Sequence, residues 1–129
     1  MKALALLALL PVAAACAPIG PTAAPSLSAG ERAYRKCFAC HATDPGRNDL
    51  AGPSLHGIIG RPVAAVPGFE YSAALRRFAQ VNPSWTRELI GRFAADPEAL
   101  VPGTSMAFHG MPDPAERAAL LEYLDSPGR

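Results

Sequence analysis

The sequence predicts an all-α fold, and three observations carry that prediction. Helix-start signals recur along the chain, at Ser28-Ala29-Gly30-Glu31, at Ser72, at Thr86 and at Asp113-Pro114-Ala115-Glu116. Behind two of them stand apolar residues at helical spacing, Leu89, Ile90 and Phe93 in one and Leu120, Leu121, Tyr123 and Leu124 in the other. No β-hairpin signal and no internal repeat occurs. The 129 residues suffice for one domain. Charged residues are 18% and aromatics 7%, with 11 glycines and 14 prolines. That composition is globular, rich in turns and thin in core, so a large apolar cofactor would supply much of the missing interior.

Residues 1–15, MKALALLALLPVAAA, read as an export signal: Lys2 is the positive start, Ala3 to Leu10 the apolar run, Ala13 to Ala15 the cleavage region. The run is too short to span a bilayer, which takes about 20 residues. Cys16 follows directly and resembles the cysteine of a bacterial lipoprotein signal, which becomes the lipid-modified N-terminus. Leucine is commoner three positions before such a cysteine, where Ala13 stands. The alternative is a periplasmic protein cut nearby, with Cys16 incidental. Residues 16–27 are small and proline-rich and read as a tether reaching at most about 35–40 Å. The folded domain is expected over 28–126.

Cleavage would remove only Lys2 from the charge count, leaving eleven basic against eleven acidic side chains. So balanced a surface is a poor match for nucleic acid. Lys36 is the one lysine that remains, and Arg32, Arg35, Arg76, Arg77, Arg87 and Arg92 supply the local basic patches.

The first helix opens on the capping box of Ser28 and Glu31 and runs to about Lys36, with Gly30 and Tyr34 on one face. Glycine in a helix interior costs roughly 1 kcal/mol against alanine, which a close helix contact would offset. Residues 42–70 hold four prolines and five glycines and predict a long structured loop. Ser72 caps a short helix to about Phe78, and a second runs from about Thr86 to Ala95, stopped by Pro97. Residues 97–112 are expected to be loop. The last helix starts at Asp113, with proline at its first position, and Ser126-Pro127-Gly128 ends it.

Cys37-Phe38-Ala39-Cys40-His41 is the pattern for covalent haem attachment: two thiols three positions apart add across the vinyl groups, and the adjacent histidine lies under the iron. A thioredoxin-like pair would follow a strand, whereas a capped helix precedes this one. A zinc site would need His56 or His109 as fourth ligand, with no second close pair. A plain disulfide between Cys37 and Cys40 leaves His41 unexplained.

From Gly30 to Leu124 the chain resembles the class I cytochromes c, single-haem electron carriers. The resemblance rests on GERAYRKCFACH (30–41), GPSLHGIIGR (52–61), Gly68-Phe69-Glu70-Tyr71, Trp85, PGTSMAF (102–108) and the closing helix from Pro114 to Leu124. It implies the cytochrome c fold, three main helices with short helices and long loops around one haem c. It implies covalent attachment at Cys37 and Cys40, His41 as proximal ligand with its second ring nitrogen donating to the Pro53 carbonyl, and Met106 as the other axial ligand. Met111 and His109 are the rivals to Met106; Met111 reads better as packing. His56 reads as structural or solvent-facing. By the same resemblance Arg61, Tyr71 and Trp85 donate to a haem propionate, and Thr104 adds a hydroxyl on that side. For Tyr71 and Trp85 core packing is the competing reading.

Two positions depart from the mitochondrial pattern. Phe93 stands where a tyrosine is usual near the methionine sulfur, and Leu75 where an asparagine is usual, which implies a reduced polar network there. The docking lysine ring is missing too. The function expected is a single-electron carrier, exported, serving redox proteins as donor and acceptor, and not an enzyme. A peroxidase-like or gas-binding protein would need an open distal site, against which the PGTSM loop argues. A zinc or disulfide module would lack haem bands altogether.

Overall fold

The computed structural model describes residues 26–126. The export signal and nearly all of the tether therefore lie outside the described residues, as do Pro127 and Gly128. Five helices follow in order: α1 (Ala29–Tyr34), α2 (Ala73–Val81), α3 (Arg87–Ala95), α4 (Pro97–Leu100) and α5 (Pro114–Asp125). Among the described residues there is no strand, only one isolated antiparallel bridge between Pro62 and Ser84.

Helix α1 begins as its sequence demands. The Ser28 hydroxyl accepts from the Glu31 amide at 3.1 Å, and the Glu31 carboxylate takes the Ser28 amide at 2.6 Å. Hydrogen bonds from the Ser28 amide, and then from its side chain, hold the Glu31 carboxyl below its ordinary pKa. Regular α-helix ends at Tyr34 rather than at Lys36. Beyond it the chain tightens, Lys36 bonding back to Ala33 and Cys37 to Tyr34 over three residues instead of four. One further turn, closed by the His41 amide on the Cys37 carbonyl at 2.9 Å, carries the Cys-Phe-Ala-Cys-His segment.

Ser72 caps α2 through the Leu75 amide at 3.1 Å, and the helix continues three residues past Phe78. Nothing in Ala79-Gln80-Val81 breaks a helix; Asn82, which precedes Pro83, does. Residues 97–112 are not all loop. Asp96 ends α3 and at once caps α4, its carboxylate accepting from the Ala99 amide at 2.9 Å. The proline that stops α3 thus starts α4, because proline at the first helical position has no amide to waste. The same grammar starts α5 at Asp113-Pro114.

Helix α5 is the centre of the packing, with α1 crossing it and α3 lying alongside. At the crossing a Cβ on Gly30 would come 2.7 Å from Tyr123 Cβ and 2.9 Å from the Ala119 carbonyl oxygen. Only glycine lets the two backbones come so close. The rings of Tyr34 and Tyr123 stack beside it, 5.0 Å between centroids. Leu89, Ile90 and Ala94 of α3, Leu120 and Leu124 of α5, Ala33 of α1, and Ile58, Val63, Trp85 and Met111 from the connections form one core. The expected apolar faces of α3 and α5 are therefore the buried ones, with Phe93, Leu121 and Tyr123 at the margin.

Gly30→Ala should destabilise the protein by about 1–3 kcal/mol, because the added methyl meets backbone that has no room to yield. Thermal denaturation against wild type measures it, and an unchanged melting temperature would disprove so tight a crossing.

Candidate functional site

His41 sits between two segments that are distant in sequence. The loop from residue 43 to 51 turns back, and the Gly52 amide donates to the Cys40 carbonyl at 2.7 Å while Leu55 pairs with Ala42 at 2.8 Å. Ser54, only 2% exposed, secures the return: its hydroxyl donates to the Asp44 carbonyl at 2.7 Å, and its amide donates to the Asn48 side chain at 2.9 Å. The returning backbone lies flat against the imidazole. A Cβ on Gly52 would overlap His41 Cε1 and come 2.6 Å from Nδ1. His41 Nδ1 stands 2.7 Å from the Pro53 carbonyl oxygen. A carbonyl only accepts, so Nδ1 carries the proton and Nε2 keeps its lone pair. Burial lowers the His41 pKa, which keeps the ring neutral.

The main chain of His41 is held as well. Tyr34, stacked on α5, donates its hydroxyl to the His41 carbonyl at 2.6 Å. Cys37 is half-buried and Cys40 exposed, and both are free thiols. Burial, reinforced by the Glu116 carboxylate, pushes the Cys37 thiol up to about 11. A disulfide-exchange pair needs the opposite shift. Phe38, between the two cysteines, is 57% exposed.

On another side the bridge between residues 62 and 84 joins Arg61 to Trp85. The Trp85 amide donates to the Arg61 carbonyl at 2.9 Å, and the Gly60 amide to the Trp85 carbonyl at 2.7 Å. The Arg61 guanidinium donates to the His56 carbonyl at 3.1 Å and has no carboxylate partner among the described residues. Burial lowers its pKa, and nearby Tyr71 opposes that. The Tyr71 hydroxyl accepts from the Val66 amide at 3.2 Å, which leaves its own hydrogen to donate. Trp85 is buried against Phe93 and Phe78, and its indole N–H meets no protein acceptor among the described residues. Arg61 thus interacts with Tyr71 and pairs its backbone with that of Trp85, and none of the three donors meets a carboxylate among the described residues. Phe93 and Leu75 are both half-buried against the core.

Met106 follows a tight turn in which the Thr104 amide reaches the Val101 carbonyl at 3.0 Å, with Pro102 and Gly103 (φ 83°) at the two central positions. The Thr104 hydroxyl accepts from the Met106 amide at 3.3 Å. Met106 is half-buried. Met111, by contrast, is fully buried in the core at 0% exposure, while His56 and His109 are exposed.

No protein-family model matches the chain. Cytochrome c2 of Blastochloris viridis is 34% identical over 108 residues, which cover 84% of this chain and 83% of that protein. Cytochrome c-550 of Ancylobacter novellus is 37% identical over 74% of this chain and 89% of its own length. The structure of cytochrome c2 from Rhodospirillum centenum superposes with a TM-score of 0.69 at 34% identity, covering 74% of this chain and 92% of that one. The chain belongs to the class I cytochromes c. It is a monohaem c-type cytochrome and a single-electron carrier, and its cofactor is one covalently attached haem c.

The residues fit that group. Free thiols at Cys37 and Cys40, a neutral imidazole with Nε2 unspent, and donors lacking an anion are the complement of a porphyrin bearing vinyl groups, iron and propionates. Asn48 and Ser54 gave no sequence signal of their own, because they act through backbone that only the folded loop brings near, and Tyr34 was read only as part of a helix face. Gly52 could have been suspected, since glycine before proline often marks a tight approach of backbone.

Gly52→Ala should displace the His41 ring and break its bond to Pro53. The expected result is a cytochrome with altered proximal ligation and markedly reduced stability, seen in the Soret position and in thermal melting. Wild-type values for both would refute the contact.

Proposed function

We propose that the haem of this cytochrome is held through Cys37 and Cys40, with His41 and Met106 as axial ligands, so that only electrons pass. The observation that carries this reading is the His41 ring, fixed by the Pro53 carbonyl at Nδ1 and presenting a lone pair at Nε2. Fixing the tautomer and the ring plane in this way is what orients a metal-binding histidine.

Met106 is supported by its place after the Val101–Thr104 turn and by the state of its rivals. Met111 is consumed by the core and His109 lies exposed. A thioether is neutral and soft, so it favours ferrous over ferric iron and raises the potential relative to a second histidine. Bound haem supplies the one-electron couple. The protein's part is to keep both axial positions filled, which leaves no vacancy for a substrate and argues against an enzymatic or gas-binding role.

Arg61, Tyr71 and Trp85 are assigned to a propionate, with Thr104 adding its hydroxyl. A carboxylate taken from water is costly unless hydrogen-bonded, and these are the unspent donors. Trp85 serves as core and as donor at once, since a buried indole still seeks an acceptor.

Redox proteins are the partners, as donor and as acceptor. Among the described residues no helix is long and apolar enough to cross a membrane. The protein works outside the cytoplasm after export, tethered to a membrane if Cys16 is lipidated. Four of its cations are paired among the described residues: Lys36 with Glu116 at 2.7 Å, Arg47 with Asp44 and Asp49, Arg76 with Glu70 at 3.5 Å, and Arg87 with Glu122 and Asp125. With a balanced total charge, that arrangement weakens long-range steering.

Optical redox titration of the natively purified protein tests the ligand set. Met106→Ala should abolish the weak far-red sulfur-to-iron band and lower the midpoint while the haem stays attached; persistence of the band would overturn the assignment. Partner reduction rates should change only mildly, by less than about tenfold, between low and physiological salt. Stopped-flow kinetics check this, and a steep fall would contradict the neutral docking surface.

A further inference from the structure

We infer that Arg117 is a positioning residue for the axial methionine, holding the segment from Met106 to Pro112 onto α5. The inference rests on Met106 being the ligand, but the clamp itself is visible without it.

The segment from Val101 to Pro112 must pass from α4 to α5 with no helix of its own. Its beginning is fixed by the turn at Val101–Thr104 and by the Glu98 carboxylate, which accepts from the Gly103 amide at 3.0 Å. Met106 bonds only within the segment, to Thr104 Oγ1 on one side and to the Phe108 amide on the other. Its place relative to the rest of the protein is therefore set by the segment's two ends.

The far end is pinned at one residue, Met111, through both its amide and its carbonyl. The Met111 amide donates to the Ala94 carbonyl at the end of α3, 2.8 Å away. Gly110, at φ 92°, permits that approach; a Cβ there would collide with the Ala95 carbonyl. From the opposite side Arg117 Nη1 donates to the Met111 carbonyl at 2.6 Å and to the Pro112 carbonyl at 2.8 Å. Arg117 is half-buried and, among the described residues, forms no ion pair. Its charge is spent on two neutral carbonyls to which no other described group donates. Hydrogen bonds from a charged donor are stronger than neutral ones.

The consequence is separable from overall stability. Arg117 contributes nothing to the α1–α5 crossing, which rests on Gly30, Tyr34 and Tyr123. Removing the guanidinium should free the segment from α5 while the helices stay packed, and the methionine should then detach below the unfolding temperature. Both bonds come from the single nitrogen Nη1, so a lysine ammonium, charged but carried on a different stem, should restore part of the hold.

The test uses the holoprotein in four forms: wild type, Arg117→Met, Arg117→Lys, and Leu124→Ala, which weakens the core without touching the segment. In wild type and Leu124→Ala the far-red sulfur-to-iron band should fade together with far-UV circular dichroism. In Arg117→Met the band should fade first, with Arg117→Lys between. Hydrogen exchange at the Met111 amide should quicken about tenfold in Arg117→Met, the value of one charge-assisted hydrogen bond. Coincident fading together with unchanged exchange would overturn the inference. If Arg117→Met does not fold, Arg117→Lys carries both readouts. A wild-type protein without the band would defeat the ligand assignment alone; the Met111 amide would then decide the clamp, faster exchange upholding it and unchanged exchange refuting it.

Discussion

The close crossing of α1 and α5 is the contact on which the rest of the structure depends. Gly30 lets α1 meet the Ala119 carbonyl and Tyr123 Cβ at backbone distance, which no larger residue allows. That approach stacks Tyr34 on Tyr123, and the stacked Tyr34 hydroxyl reaches the His41 carbonyl. The Lys36–Glu116 pair adds a second tie just before Cys37, although exposed pairs of this kind contribute at most about 1 kcal/mol. The haem-binding segment thus hangs from a helix pair rather than from its own short turns.

Loops do the remaining work, and they do it because they are bonded at chosen points. The stretch from 42 to 70 has no helix, yet its return at Gly52 and Pro53 defines the histidine tautomer. Ser54 shows how such a loop can be buried without penalty: it gives its hydroxyl and its amide to protein acceptors and takes the His56 amide in return. The 101–112 segment follows the same rule, with bonds concentrated at its ends. Irregular backbone at these two points sets a carbonyl against the His41 ring and leaves Met106 on a segment held at its ends. A site preorganised in this way changes little when its charge changes, and that suits an electron carrier.

Much of this architecture was legible in the chain. Capping residues at Ser28, Ser72 and Asp113 mark helix starts that the structure places as read, because capping is a local bond between a side chain and an amide two or three residues on. Local grammar misled at Pro97, where the proline that ends α3 also begins α4. It misled again at Tyr34, where the helix ends early and the chain tightens into three-residue turns ahead of Cys37. The haem motif and the likeness to the class I cytochromes c were equally plain, since Cys-x-x-Cys-His is contiguous and needs no folding to be seen.

What the sequence determined by itself was whatever depends on near neighbours: helix starts, the attachment motif, the balance of charge. Only the tertiary structure decided which distant groups meet. Arg61 lies beside Trp85 because an antiparallel bridge joins Pro62 to Ser84, and Gly52 lies on His41 because a loop folds back. Each of these is a contact between segments whose separation along the chain carries no period and no propensity. Packing of the whole core is what sets the distance between them.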